Sequence, residues 1–340
     1  MVFLRLEKNI IQLSTRFFRS CHSSCTVNAA LEDSQLQSAH QKTKACNTRL
    51  LKVALLGRPN AGKSTIINRL MARTICPTSL KIHTTKHNAK AVFTEDNVQV
   101  VFIDTPGALS EVEQKKYKSP GNNMTVRRAL NEANLIGLVQ DMSDNFYRHK
   151  IQSYILDLMK KIPLETTVIL IFNKIDTLAK KDILLELTSR FKSQKEFPNF
   201  EDVFMISATD GSGIDDLKDY MLDIAPPGEW EYSVDDYTDQ EPTTLIEDTV
   251  RAKIMDALPN ELPYKLRIKV AHLEIRPDGS MACLIDIICP TPRIAQLMIR
   301  NKGKRVKTLS ELIEGELRHA FQNAISILLN VKYGNAKSVP

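Results

Sequence analysis

The octapeptide Gly57-Arg58-Pro59-Asn60-Ala61-Gly62-Lys63-Ser64 constrains this chain more than any other feature. It fits the pattern GxxxxGK[ST], and it lies between an apolar run at 51–56 and an amphipathic helical stretch at 63–73, the strand–loop–helix context that such a loop requires. Its glycines let backbone amides wrap around phosphate oxygens, and the positive end of the helix dipole adds to their attraction. Lys63 is placed to reach the β and γ phosphates and the Ser64 hydroxyl to bind Mg²⁺, with Thr65 beside them.

Downstream residues narrow the ligand. Asp104-Thr105-Pro106-Gly107 follows an apolar run at 98–103, so that Asp104 can hold Mg²⁺ through water and the Gly107 amide can sense the γ phosphate. Asn173-Lys174-Ile175-Asp176 follows another such run at 167–172. A carboxylate at Asp176 accepts two hydrogen bonds from the N1 and N2 hydrogens of guanine, a pair that adenine does not offer. Ser207-Ala208, after the next apolar run, fits the position whose backbone amide caps guanine O6. The four motifs in this order read as a site for GTP or GDP with Mg²⁺.

Short apolar runs at 51–56, 98–103, 135–140, 167–172 and 202–206 alternate with helical stretches at 124–132, 150–161, 183–192 and 213–222. Such alternation predicts an α/β domain over 50–226 with a mixed, mostly parallel sheet covered on both faces, ligands sitting at the carboxyl ends of the strands. Pro226-Pro227-Gly228 ends the pattern. Residues 227–242, rich in Asp and Glu, read as an acidic linker. A smaller α+β unit follows over 243–335: a helix to 257, strands at 265–275 and 281–289, helices at 292–299 and 304–321, and a last strand at 324–332.

Charge is segregated rather than large. Against a net charge of +6, the stretch 229–248 carries eight acids and no Lys or Arg, while Arg300, Lys302, Lys304, Arg305 and Lys307 lie within eight residues that hold no acid. A polyanion partner is expected at the basic end. The first 45 residues are different again. Phe3, Leu6, Ile10, Leu13 and Phe17 recur at helical spacing among Arg5, Lys8, Arg16 and Arg19, with Glu7 the single acid in the first 25 residues. That composition is that of a mitochondrial transit peptide, the alternative being a disordered cytosolic tail. No apolar run reaches the ~18 residues of a membrane-spanning helix. The six cysteines show no disulfide spacing, and Cys21 and Cys25, with His22 between them, lack a second ligand pair for a metal.

Together these motifs resemble the translation-factor-related GTPases, and most closely the Era family. The resemblance runs from about residue 52 to 332. It implies GTP hydrolysis, with Lys63, Gly107 and Thr85 as the catalytic set, Thr85 of the pair Thr84-Thr85 being the switch threonine that joins Ser64 and Asp104 on Mg²⁺. Ala108 stands where Ras-like GTPases carry the glutamine that orients the attacking water, so slow intrinsic hydrolysis is expected. In several relatives an asparagine at the place of Asn60 holds potassium against the phosphates. K⁺ is therefore a further candidate cofactor, and capping the loop is the other role open to Asn60. For the second unit the resemblance implies a type II KH domain, with Arg300-Asn301-Lys302-Gly303 in the slot of the RNA-clamping GXXG loop and Arg300 in place of its first glycine. The basic side chains Lys304, Arg305 and Lys307 complete the expected RNA contacts.

Era proteins bind the 3′ region of small-subunit ribosomal RNA and assist maturation of that subunit. With the amino-terminal segment, the resemblance implies the small ribosomal subunit of the mitochondrial matrix, without an integral membrane segment and with peripheral membrane association left open. Two other readings stand beside it. A tRNA-modification GTPase carries the same phosphate-loop sequence, but it also has a long helical domain and a carboxy-terminal catalytic cysteine, whereas the last cysteine here, Cys289, falls in a strand. A protein-interaction switch without RNA would leave 300–307 as a solvated basic face.

Overall fold

The structure, a computed structural model, describes residues 48–79, 89–116, 122–193, 199–259, 262–300 and 303–334. The amino-terminal segment 1–45 with Cys21, His22 and Cys25, the pair Thr84-Thr85, and Asn301 and Lys302 lie outside the described residues.

The larger sheet contains β1 (Arg49–Gly57), β2 (Ala89–Glu95), β3 (Val98–Asp104), β4 (Leu135–Asp141), β5 (Thr167–Asn173) and β6 (Val203–Met205), in the order β2-β3-β1-β4-β5-β6. Neighbours run parallel except β2, which pairs antiparallel with β3. The connecting helices are α1 (Lys63–Met71), α2 (Glu111–Lys116), α3 (Asn122–Glu132), α4 (Ser153–Met159), α5 (Asp182–Ser193) and α6 (Ile214–Ile224).

Strand periodicity divides the core into two layers. Leu51, Val53 and Leu55 of β1 pack with α1 and α6, while Ala54 and Leu56, one residue out of phase, pack with α3, α4 and α5. With both faces covered, β1 and β3 read as continuous apolar runs rather than alternating ones. Each fully buried Leu or Ile contributes roughly 1.5–3 kcal/mol.

Beyond shifted element ends and the unforeseen short helix α2, two features depart from the sequence reading. β2 was not foreseen, because its Lys90, Thr94 and Glu95 break the apolar pattern; the two residues Asp96 and Asn97 turn it into β3, with Asp96 at φ 51°. Residues 227–242, read as a linker, are strapped to the edge of the large sheet. Val92 N–H donates to the Tyr237 carbonyl at 3.0 Å, and Thr238 bridges Ala91. Gln99, fully buried in β3, fixes the strap. Its Nε2 donates to the Tyr232 carbonyl at 2.9 Å, and its Oε1 accepts from the amides of Glu231 and Tyr232 at 3.0 and 3.1 Å. Burying an amide is costly unless its donors and acceptors are matched, so Gln99 makes the strap's position specific. Lys52 pairs with Glu231 and Lys90 hydrogen-bonds Asp239, which gives part of the acidic run local partners.

The second unit holds α7 (Pro242–Ala257), β7 (Arg267–Ile275), β8 (Met281–Cys289), α8 (Pro292–Ile299), α9 (Lys304–Phe321) and β9 (Ile325–Tyr333). Its sheet order is β7-β8-β9, with β7 antiparallel and β9 parallel to β8. Leu245, Ile254, Ile285, Ile313 and Leu317 make a core separate from the first two. One glutamate sits on each sheet edge: Glu247 accepts from Val270 N–H at 2.9 Å, and Glu314 accepts from Ile327 N–H at 2.8 Å, so that each edge has one main-chain donor satisfied. The units meet where Arg73 stacks on Tyr237 and donates to Gln322, Thr74 contacts His319, and Ser79 donates to Asp256 at 2.6 Å. Among the described residues no helix is long and apolar enough to cross a membrane.

Candidate functional site

The loop between β1 and α1 brings the first motif to the carboxyl end of the sheet, where the other three also arrive. Gly62 takes φ 96°, and a Cβ there would stand 2.2 Å from Asn173 Nδ2; only glycine fits. Gly107 approaches as closely, because a Cβ on it would lie 2.5 Å from the backbone nitrogen of Pro59. Ala108 N–H donates to the Gly57 carbonyl at 3.0 Å, and Thr105 Oγ1 donates to the Leu55 carbonyl at 2.6 Å. The segment Asp104-Thr105-Pro106-Gly107 is thus held against β1 and the start of the phosphate loop by one side-chain and one backbone bond. Ala108 is fully buried in the second core layer, so nothing on its side chain reaches the site.

Lys63 is 5% exposed, and its ammonium donates to the carbonyls of Arg58 at 3.0 Å and Gly57 at 3.3 Å. Burial lowers its pKa to about 8, against the opposing pull of Asp104. A cation stripped of water in this way interacts strongly with any anion the loop admits. The Ser64 hydroxyl lies 3.1 and 3.2 Å from the two carboxylate oxygens of Asp104. A hydroxyl and a carboxylate this close are hard oxygen donors that fit Mg²⁺. Thr65 lies half-buried in the first turn of α1.

Asn173 joins the loops that carry three of the motifs. It is 1% exposed; its Nδ2 donates to the Ala61 carbonyl at 2.8 Å, and its Oδ1 accepts from Ala208 N–H at 3.1 Å. Ser207 is fully buried, its carbonyl accepting from Gly211 N–H at 2.8 Å. Lys174, at φ 65°, donates to the Asn60 carbonyl at 2.8 Å and to Asp141 at 2.5 Å. Asn60 itself is solvent-facing at φ 60°. Ile175 is buried at the head of a single 3-10 turn, Ile175–Thr177, which presents Asp176 to solvent beside these loops.

Asp141, at the end of β4, was missed in the sequence because one Asp after an apolar strand carries no motif. The Arg58 guanidinium sits 3.3 Å from the centre of the Tyr147 ring and 3.8 Å from Asp144, beside a cleft of about 250 Å³ that Pro59, Asn60 and Ala61 also line.

The expected RNA contacts are gathered in the second unit, apart from Asn301 and Lys302, which lie outside the described residues. Arg300 is exposed at the end of α8 with φ −41° and ψ 147°, a conformation open to any residue. Arginine at the place of the first glycine therefore costs no backbone strain. Gly303 starts α9 at φ 80°, and nothing lies within 4 Å of where its Cβ would be. Lys304 is exposed, Lys307 pairs weakly with Glu311 at 3.9 Å, and Arg305 turns inward to the Leu297 carbonyl at 3.3 Å.

Residues 52–174 match a family model described as 50S ribosome-binding GTPase. The mitochondrial GTPase Era of Salmo salar is 27% identical, over 85% of this chain and 77% of its own length. GTPase Era of Leuconostoc citreum is 30% identical, over 76% of this chain and 82% of its own. A crystal structure of Era in complex with MgGDPNP and nucleotides 1506–1542 of 16S ribosomal RNA superposes with a TM-score of 0.69 at 25% identity, covering 85% of this chain and 95% of that one. Likeness on this scale runs through both sheets and not the nucleotide loop alone, so the chain belongs to the Era family of GTPases and hydrolyses GTP.

Proposed function

We propose that this GTPase binds small-subunit ribosomal RNA through its second unit and assists assembly of the mitochondrial small ribosomal subunit in the matrix. The observation that carries the reading is the pairing, in one chain, of a guanine-nucleotide site with an αββααβ unit whose basic loop ends at the unobstructed Gly303. The Era complex with a 16S ribosomal RNA fragment supports the RNA class, and relatives in Salmo salar and Danio rerio that bear the name mitochondrial support the compartment. The basic, acid-poor residues 1–45 fit a transit peptide for that route.

In this reading Lys63 and the amides of 57–65 hold the phosphates, and Ser64, Asp104 and Thr85 hold Mg²⁺, with Gly107 reporting the γ phosphate. The metal supplies positive charge to the oxygens on which charge develops during phosphoryl transfer. Asp176 reads guanine, and the Ser207-Ala208 backbone caps its O6. Asn60 at positive φ, its carbonyl held by Lys174, is the candidate holder of K⁺.

The test is ultraviolet crosslinking of the full chain in cells, followed by sequencing of the RNA recovered from purified mitochondria. Fragments from the 3′ region of the mitochondrial small-subunit ribosomal RNA are expected. Recovery of tRNA would favour the modification GTPase, and recovery of no RNA would favour the protein switch.

A sharper expectation concerns Arg300. If its guanidinium contacts a phosphate, Arg300→Gly lowers RNA affinity by about 10–100-fold, the value of one charge-assisted contact. The salt dependence should then flatten by about 0.7 log units per tenfold salt. Affinity that holds or rises in filter binding across a salt series would mean that Arg300 obstructs the loop instead.

A further inference from the structure

We infer that Asp141 is a positioning residue for the guanine nucleotide, its carboxylate holding the Lys174 ammonium in place against the phosphate loop. The inference rests on the reading of Asn173-Lys174-Ile175-Asp176 as the base-binding motif. Lys174 stands between Asn173, which ties the loops together, and Asp176, which reads guanine. Its side chain reaches back across the site, and its ammonium donates to the Asn60 carbonyl at 2.8 Å. A lysine on a flexible four-carbon stem loses much rotamer freedom when it is docked in this way. A neutral carbonyl is a weak hold for such a side chain. A carboxylate, through a charge-assisted bond, is a stronger one.

Asp141 is aimed to supply that hold. β4 and β5 run parallel with Asp141 opposite Asn173, and Met142 N–H donates to the Asn173 carbonyl at 2.9 Å. The ends of the two strands thus set Asp141 beside the first residues of the motif. One carboxylate oxygen, Oδ1, accepts from the Ser143 amide at 2.9 Å and from the Ser143 hydroxyl at 2.6 Å. The other, Oδ2, meets Lys174 Nζ at 2.5 Å, the two side chains being 21% and 30% exposed. The main chain of Lys174 is held separately. At φ 65° its carbonyl accepts from Thr177 N–H at 3.1 Å and from Thr177 Oγ1 at 2.7 Å. Removing the Asp141 carboxylate therefore frees the lysine side chain without freeing the turn that carries Asp176. A Lys174 free to swing into solvent holds the nucleotide less firmly, so faster release is the expected consequence.

The readout is release of fluorescently labelled GDP from the full chain, chased with unlabelled GDP at saturating Mg²⁺. Asp141→Ala should raise the release rate by about 3–10-fold, between what exposed ion pairs and buried charge-assisted bonds contribute. Lys174→Ala should raise it at least as much. The double variant should release GDP no faster than Lys174→Ala alone, because Asp141 then has nothing left to hold. Ser143→Ala, which keeps the amide donor to Asp141, should stay within about twofold of the parent. Asp141→Asn, nearly the same shape and still an acceptor, should fall between the parent and alanine; it repeats the cycle should the alanine variant fail to fold. Unmoved release in both Asp141 variants overturns the inference. So do additive effects of the Asp141 and Lys174 changes, or equal rises in Asp141→Ala and Ser143→Ala, which would signify only the shape of the turn at 141–143. Lys174→Ala separates the two levels. If it leaves release unchanged, the placement of this motif beside the nucleotide fails; if it speeds release while Asp141→Ala does not, only the role of Asp141 fails.

Discussion

Asp176→Asn is expected to weaken GTP binding by roughly two to three orders of magnitude while leaving the fold in place. The carboxylate offers two acceptors to two parallel guanine hydrogens, and hydrogen bonds to a charged partner contribute about 1.5–3 kcal/mol each. Asparagine keeps one acceptor and turns an amide N–H against the other guanine donor, converting attraction into repulsion. The same substitution should improve binding of xanthine nucleotides, whose 2-oxo group accepts from that amide. Asp176 is exposed on a single 3-10 turn, so stability should change by no more than about 0.5 kcal/mol. Equilibrium titration with labelled GDP and XDP checks both halves. Unchanged guanine affinity would mean that the base is read elsewhere.

How far the sequence leads depends on whether a constraint is local. The phosphate loop is legible because its chemistry needs Gly62, Lys63 and Ser64 at fixed spacing within one turn of chain, and the structure puts a helix over Lys63–Met71 behind it. The reading to residue 73 overran because Ala72 turns left-handed at φ 50°, a conformation that alanine does not advertise. In the second unit, Met281–Cys289, Pro292–Ile299 and Lys304–Phe321 occupy the expected residues, since each has a strong period and a plain start or stop, such as Thr291 capping Ile294 N–H or Gly303 before Lys304.

What stayed hidden are contacts between residues far apart in sequence. Gln99 looks like a flaw in an apolar strand until the strap at 231–232 meets both of its amide atoms, more than 130 residues later. An acidic run reads as linker because exposed charge dominates its composition, whereas the bonds that fix it run mostly to its main chain.

Asn173 shows why a motif can be found in sequence while its mechanical role is not. The usual emphasis in Asn-Lys-x-Asp falls on the residues facing the base, yet here the asparagine amide is spent on protein. It spans from the Ala61 carbonyl, 112 residues away, to Ala208 N–H, 35 residues away. Ala61 and Ala208 are 1% and 5% exposed. Asn173→Ala therefore leaves a carbonyl and an amide buried and unpaired, at roughly 1–3 kcal/mol each. A loss of about 2–4 kcal/mol in unfolding free energy without nucleotide is expected, read from the denaturant midpoint at constant slope. Because the phosphate loop and the guanine-capping loop would no longer be tied together, GTP and GDP affinity should fall in the same variant, whichever base is offered. Asn173→Asp sharpens the test. It keeps the acceptor for Ala208 N–H but sets a carboxylate oxygen against the Ala61 carbonyl, so it should be no better than alanine. If Asn173→Ala melts like the parent and loses only nucleotide affinity, the residue serves the ligand directly and the tie between the loops has no energetic weight.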